Sequence, residues 1–380
     1  MTQESKKEYM EKIKGRYKRA GRKHKKRILD EFCEVCGYDR KWAIRKLGAG
    51  GGKERRRGGA MRKYGPELLA PLKEVWFAAQ QPHSRSLKEA LKIWLPHMDI
   101  DEATRALLLE ASARTLDRLL APARARHGKG RSGTRPGGML KQEIPIRTSH
   151  DDVERPGYIA ADTVAHCGGS LEGDFAWTLT FTDVHSGWTC MRAVWNKGRH
   201  GVHAAIGDIE RTLPFAILGF HSDNGGEFLN HHLHSYLGGR QTRGRPSRKN
   251  DNAHAEQKNW THARQLLGYD RLGNPAALPL INELLLAWEL LANHFRPCMK
   301  LLSKHRHGAR VVRRHDTPAT PYERLLASPH VAEAAKEALR ARHALLDPFK
   351  LSRRVETLLR QVWRTTRAEP GPAPRGGTDA

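Results

Sequence analysis

Apolar positions change their period twice along this chain. From Lys26 to Cys36, Ile28, Phe32 and Val35 recur at helical spacing. Gly37 breaks the run, and Asp39 is placed to cap a second helix, Arg40 to Leu47, with Ala43, Ile44 and Leu47 inward. Two short helices joined by a tight glycine turn predict a helix-turn-helix. Amphipathic helices follow at Pro66–Gln80 and Leu87–Leu95. Ala103–Glu110 and Ser112–Leu120 form a second such pair, with Ser112 as cap. Residues 121–150 are rich in Pro, Gly and basic residues and have no period. From Tyr158 the pattern becomes strand-like. Tyr158–His166, Ala176–Asp183 and Trp188–Trp195 predict three consecutive antiparallel strands. A helix, Val202–Leu213, and a fourth apolar strand, Phe215–His221, come next. Glu227–Leu237 is helical, Gly238–Asn250 is a loop, and helices span Asn252–Leu267 and Ala277–Phe295. Beyond these, Ala309–Arg314 predicts a short strand, and Val331–Leu345 and Leu351–Trp363 predict helices.

Charge sharpens this outline. The 380 residues carry a net charge of +26, which calls for a polyanionic partner. Residues 1–63 hold 22 Lys or Arg against 8 Asp or Glu, more than half of the excess. The pattern therefore divides the chain into a basic arm with the first helix-turn-helix (1–63), a second helix-turn-helix region (64–120), a linker (121–150), an α/β core (151–295), a basic C-terminal region (296–367) and a disordered tail (368–380). Arg40, Lys41, Arg45 and Lys46 on the first pair, and Arg114 and Arg118 on the second, are the expected DNA contacts. No stretch approaches the roughly 18 or more apolar residues that a spanning helix needs, and the start has no apolar signal region. With five sparse cysteines, this predicts a reduced cytoplasmic protein without a membrane partner. Cys33 and Cys36 lie on a helix beside Phe32, where core packing accounts for them, and His231, His232 and His234 lie away from the acids described next.

Three acids carry the chemistry. Asp162 stands in the middle of an otherwise apolar strand, where an acid is expensive unless it holds something positive. Asp223 ends the fourth strand, 61 residues after Asp162 and just before Asn-Gly-Gly, and Glu256 comes 33 residues later on a helix. Carboxylates brought together repel unless cations neutralise them, and hard oxygen ligands suit Mg²⁺ or Mn²⁺. Two such ions activate a hydroxyl and stabilise the leaving oxygen of a phosphodiester. Arg248, Lys249 and Lys258 flank Glu256 and are expected to contact phosphates. Asp251 immediately precedes the predicted helix and is read as its cap.

Ala-Asp162-Thr, the segment His221-Ser-Asp-Asn-Gly-Gly-Glu-Phe228 and the segment Lys249-Asn-Asp-Asn-Ala-His-Ala-Glu256 together resemble the integrase core of DDE transposases of bacterial insertion sequences. The resemblance covers about residues 155–290 and extends less specifically to Thr317–Leu326. It implies an RNase H-like α/β fold, a mixed five-stranded sheet flanked by helices, preceded by an all-α helix-turn-helix region and followed by a small basic region. It further implies that Asp162, Asp223 and Glu256 hold two Mg²⁺ or Mn²⁺ ions for strand cleavage and 3′-hydroxyl strand transfer. The partners would be transposon-end and target DNA, the assembly at least a dimer on DNA, and the setting the bacterial nucleoid. One departure is Arg245-Pro-Ser-Arg-Lys, where such proteins often have an aromatic residue after the proline. The rival readings are an RNase H-like nuclease or junction resolvase and a non-catalytic DNA-binding regulator.

Overall fold

The computed structural model describes residues 2–48, 64–125, 153–196, 198–222, 238, 240–243, 258–307 and 310–367. The predicted linker from residue 126 on, the Glu227–Leu237 helix and the tail lie outside these residues, while 121–125, expected as linker, are helical. The chain forms two compact units, residues 1–63 and 64–380.

The first unit holds three helices, α1 (Gln3–Arg19), α2 (Arg22–Cys36) and α3 (Arg40–Gly48). Gly37 takes the left-handed conformation (φ 68°) that ends α2, where a side chain would be strained. Asp39 Oδ1 accepts from the backbone N–H groups of Lys41 (2.9 Å) and Trp42 (3.0 Å), so α3 is capped as its sequence predicts. Ile13, Tyr17, Ile28, Leu29, Phe32, Ala43 and Leu47 bury against one another. Two expected core positions face solvent instead: Val35 is 48% and Ile44 45% exposed. The burial stripe runs through Cys36 on α2 and through Ala43 and Leu47, four apart, on α3, which turns Val35 and Ile44 outward. The sequence pattern gave α1 no role; it is the third wall of this core.

The second unit is built on a five-stranded sheet in the order β3-β2-β1-β4-β5, with β1 Tyr158–Ala165, β2 Ala176–Asp183, β3 Thr189–Trp195, β4 Gly219–Ser222 and β5 Gln241–Arg243. β1, β2 and β3 are antiparallel neighbours, and β4 and β5 add in parallel to β1. β5 falls in a stretch expected to be loop. One sheet face buries Ile159, Ala161, Leu179, Phe181 and Phe220 against Ile206 and Ile209 of α8 (Arg199–Thr212). The other face buries Val164, Met191 and Ala193 in a larger cluster.

That larger cluster joins regions the sequence pattern sets apart. It takes in α4 (Leu69–Ala78), α5 (Ser84–Trp94), α6 (Glu102–Glu110) and α7 (Ala113–Ala125). It also includes α9 (a π-helical stretch Asn259–Arg264 continuing into Gln265–Leu267), α10 (Leu278–Phe295) and, later in the chain, α13 (Pro348–Arg367). Boundaries at 120 and 295 therefore do not separate cores. Trp94 illustrates the join: fully buried, it donates from Nε1 to the carbonyl of Phe295 (2.8 Å) and packs edge-on against Phe349. The remaining elements are a hairpin, β6 (Leu301–His307) and β7 (Arg310–His315), and helices α11 (Pro321–Ala327) and α12 (Glu333–Ala344). Only β7 of that hairpin is legible in the apolar pattern.

The stretch Pro275–Phe295 corrects one expectation. Its 21 residues are long and apolar enough to cross a membrane, with a mean hydropathy of 1.3 over the best window. The expectation that no stretch approaches this length missed it because polar residues are interspersed among the apolar ones. Leu284, Leu285, Trp288, Leu291 and Phe295 bury in the core, and the polar residues have a separate use. Asn282 accepts from Ala193 N–H (2.9 Å) and donates to its carbonyl (3.0 Å), and Asn293 does the same for Thr189 (2.9 Å each). Glu289 accepts from Met191 N–H between them. α10 thus satisfies the open edge of β3 with side chains, in place of a sixth strand.

Candidate active site

Asp162 lies on β1 directly opposite Thr180 of β2, on the sheet face that meets α9. Its Oδ1 accepts from the Thr163 N–H (2.8 Å), and its Oδ2 accepts from Asn259 Nδ2 (2.6 Å) at the start of α9. The parallel register of β1 and β4 sets Ala161 opposite Ser222. The residues preceding Asp162 and Asp223 are therefore cross-strand partners. Asp223, Glu256, Asp251, Arg248 and Lys249 themselves lie outside the described residues. Among the described residues, no three His, Cys, Asp or Glu side chains gather as a metal site.

The atoms around Asp162 nevertheless suit a hard cation. Asn259 Oδ1 and Thr180 Oγ1 are buried oxygens without a hydrogen-bond partner among the described residues. Buried acceptors left open are costly, and a bound ion or its water is one way to satisfy them. A second acid of this sheet, Asp183, makes the contrast. It is fully buried and accepts from Gly157 N–H (2.8 Å), Ser186 N–H (2.7 Å) and Ser186 Oγ (2.6 Å). Burial raises its carboxyl despite these bonds, and its acceptors are used in holding the β2–β3 turn.

Asn259 is a site residue that acid spacing alone does not single out. Its signal is position: it comes three residues after Glu256 in the sequence. Behind it, α9 is fixed by buried polar contacts. His262 Nδ1 accepts from Trp288 Nε1 (3.0 Å), and burial holds its imidazole well below the usual range, so it is neutral. Arg264 donates to the carbonyl of Ala165 (2.8 Å), tying α9 to the end of β1. Lys258, expected at phosphate, turns inward: Nζ lies 3.5 Å from His262 Nε2. Burial lowers the Lys258 ammonium. Burial raises the neighbouring Cys298 thiol, but Lys258 and Arg324 outweigh this and bring it below its ordinary value.

The other basic residues divide by unit. Arg40, Lys41, Arg45 and Lys46 are exposed along α3; Arg40 pairs with Asp30, and Lys46 lies over the Trp42 ring (5.9 Å). Arg114 and Arg118 are exposed on α7, whose opposite face buries Leu116, Leu120 and Ala123.

Fold and site together define an α/β protein with a mixed five-stranded sheet, a strand-centre aspartate braced by a helix asparagine, and a basic all-helical N-terminal unit. No protein-family model matches the chain. It is 37% identical over 332 residues to the uncharacterized protein y4rM of Sinorhizobium fredii (strain NBRC 101917 / NGR234), covering 83% of this chain and 94% of that protein. The chain belongs to the same family as y4rM. Among solved structures, it is similar to the catalytic core domain of BIV integrase, at 19% identity and a TM-score of 0.28, over 44% of this chain and 91% of that one. A superposition that loose says nothing about chemistry.

Proposed function

We propose that the protein is a DDE transposase that cuts and rejoins DNA at the ends of a mobile element. The observation that carries this reading is the junction of β1, β4 and α9. Ala161 and Ser222 are paired, so Asp162 and Asp223 each follow a member of one cross-strand pair. Asn259, on the helix that Glu256 precedes, bonds to Asp162 at 2.6 Å. The three acids, 61 and 33 residues apart in the chain, thus belong to segments that meet. The mixed five-stranded sheet with flanking helices supports the RNase H-like fold that the motif implies.

In this reading Asp162, Asp223 and Glu256 would hold two Mg²⁺ or Mn²⁺ ions. Such ions lower the pKa of a water or 3′-hydroxyl and stabilise the leaving oxygen. The chain's own work is placement. Asn259 fixes the rotamer of Asp162, and the Trp288–His262 and Arg264–Ala165 bonds fix α9. Arg40, Lys41, Arg45 and Lys46 would bind the ends, with Arg114, Arg118, Arg248 and Lys249 as further phosphate contacts. The inward ammonium of Lys258 supports a bracing role over a phosphate contact. Two ends must be held together, so the working form is at least a dimer on DNA, at the nucleoid.

The test is a labelled end-containing duplex with purified protein. Wild type should cleave and join strands in Mg²⁺ or Mn²⁺ and not in EDTA. Glu256→Gln and Asp162→Asn should abolish both steps while duplex binding stays near normal, and Asp251→Asn should be mild because Asn also caps helices. Cleavage by Glu256→Gln at the wild-type rate would remove Glu256 from the site. Cleavage without joining would favour a nuclease, and binding without either step a regulator.

A further inference from the structure

The hairpin β6–β7 has no place in the chemistry above. It is a two-stranded sheet of its own, outside the five-stranded one. Residues 301–315 read LLSKHRHGARVVRRH: five Lys or Arg, three His and no acid. The register sets Lys304 of one strand opposite Arg313 of the other, two residues of like charge. Cation-on-cation pairing destabilises an isolated ribbon, so this ribbon is suited to a polyanion that neutralises both strands.

Its root is rigid. Asp316 Oδ1 accepts from Lys300 N–H (2.6 Å), and Asp316 N–H donates to the Lys300 carbonyl (3.0 Å). Arg324 donates to Asp316 Oδ2 (2.7 Å) and to the Cys298 carbonyl (2.8 Å). Lys300 Nζ also donates to the carbonyl of His185 in the β2–β3 turn. Beyond the root the side chains are open: His305, Arg313, Arg314 and His315 are exposed, as are Leu302 (64%) and Val312 (41%).

We propose that β6–β7 is a DNA-reading ribbon that enters the major groove of a duplex held by the second unit. Size fits: seven residues of strand reach about 23 Å, and a two-stranded ribbon is what a groove about 12 Å wide admits. Charge placement chooses the partner. Arg313 and Arg314 are consecutive on a strand, so they leave it on opposite faces, and both are exposed. A groove has phosphates on both walls and takes cations on both faces. A lipid surface takes them on one. An A-form duplex has a major groove too narrow and deep to enter, so RNA is the wrong partner. The exposed Val312 suits contact with thymine methyl groups on the groove floor.

The inference rests on the DNA-acting reading above, and its test is separable from that one. Full-length wild type, R313Q/R314Q, R313K/R314K and a control on α13, R353Q/R360Q, would be titrated by fluorescence anisotropy against a 30-base-pair DNA duplex across salt. Dimethyl sulfate probing of guanine N7 would report the major groove. The Gln pair should weaken binding about tenfold near 0.15 M salt, lower the slope of log K against log salt by about two, and lose N7 protection. The Lys pair should keep most of the slope, the control should match wild type, and binding to an RNA duplex should not depend on the ribbon. An unchanged slope, unchanged N7 protection in the Gln pair, or loss of binding only to anionic phospholipid vesicles overturns the proposal. So does a Lys pair as impaired as the Gln pair, which would report a fold effect. If ribbon-dependent binding is found but strand cleavage is not, the ribbon stands and the transposase reading falls.

Discussion

Two helix pairs of this chain, α2–α3 and α6–α7, are built alike and end in different places. Each has a capped second helix: Asp39 accepts from Lys41 and Trp42 N–H, and Ser112 Oγ accepts from Thr115 N–H (3.1 Å). Each second helix exposes arginines on one side and buries leucine or alanine on the other. Among the described residues, α2–α3 packs with α1 in one cluster of the first unit. The apolar side of α6–α7 joins Trp94, Phe295 and Phe349 in a cluster running from Leu68 to Val362. The first pair is a module; the second is part of a wall. A small module of this kind buries little surface and is marginally stable alone.

The largest effect expected from this contrast is on truncation. Removing residues 1–63 should leave a second unit that melts cooperatively at nearly the wild-type temperature while specific end binding is lost. Removing 1–125 should abolish cooperative melting, because Leu116, Leu120 and Trp94 leave with it. Calorimetry and gel filtration on both truncations decide; a well-folded 126–380 fragment would break the comparison.

Acid should separate the units next. In the second unit His166 is fully buried with Nε2 on Thr178 Oγ1 (2.9 Å), and burial lowers it to about 3. His294 is lowered to about 3, by burial first and then by His343 and Arg342. Both imidazoles are neutral when folded and take up protons more readily when unfolded. Their contribution is therefore whole above about pH 6.5 and lost as pH falls toward 3. That is about 5 kcal/mol per histidine over the full range. The only histidine of residues 1–63, His24, is exposed. Melting curves from pH 7 to pH 4 should show the second unit falling faster, and His166→Gln should reduce the slope. Equal slopes for both units would contradict the burial argument.

A smaller effect is expected from single core truncations. Leu120→Ala should cost the second unit about 2–5 kcal/mol, and Phe32→Ala should cost the first about 3–5 kcal/mol, each leaving the other unit's transition in place. Denaturant melts with a probe in each unit check this; coupled losses would mean one cooperative block. The smallest effect is at the caps. Asp39→Ala and Ser112→Ala should each cost about 1 kcal/mol, and Asp39→Asn little. Because the first unit has less stability to lose, Asp39→Ala should lower its melting temperature more than Ser112→Ala lowers that of the second.

Much of this molecule is legible in its residues alone. The Gly37 turn, the Asp39 and Ser112 caps and strands β1 to β3 follow from interactions within a few residues, and they fall where the pattern puts them. Asp162 stands out because a strand-centre acid has a desolvation cost that any strand shares. What the sequence leaves open depends on partners far along the chain. Nothing local says that Ser222 pairs with Ala161, or that Asn259 reaches Asp162, 97 residues away. α10 reads as merely apolar until Asn282, Glu289 and Asn293 meet the edge of β3. The pattern of a helix states that it has an apolar side to bury. Only the tertiary structure decides against what, because that burial is settled by the whole core at once and not by any one segment's propensity.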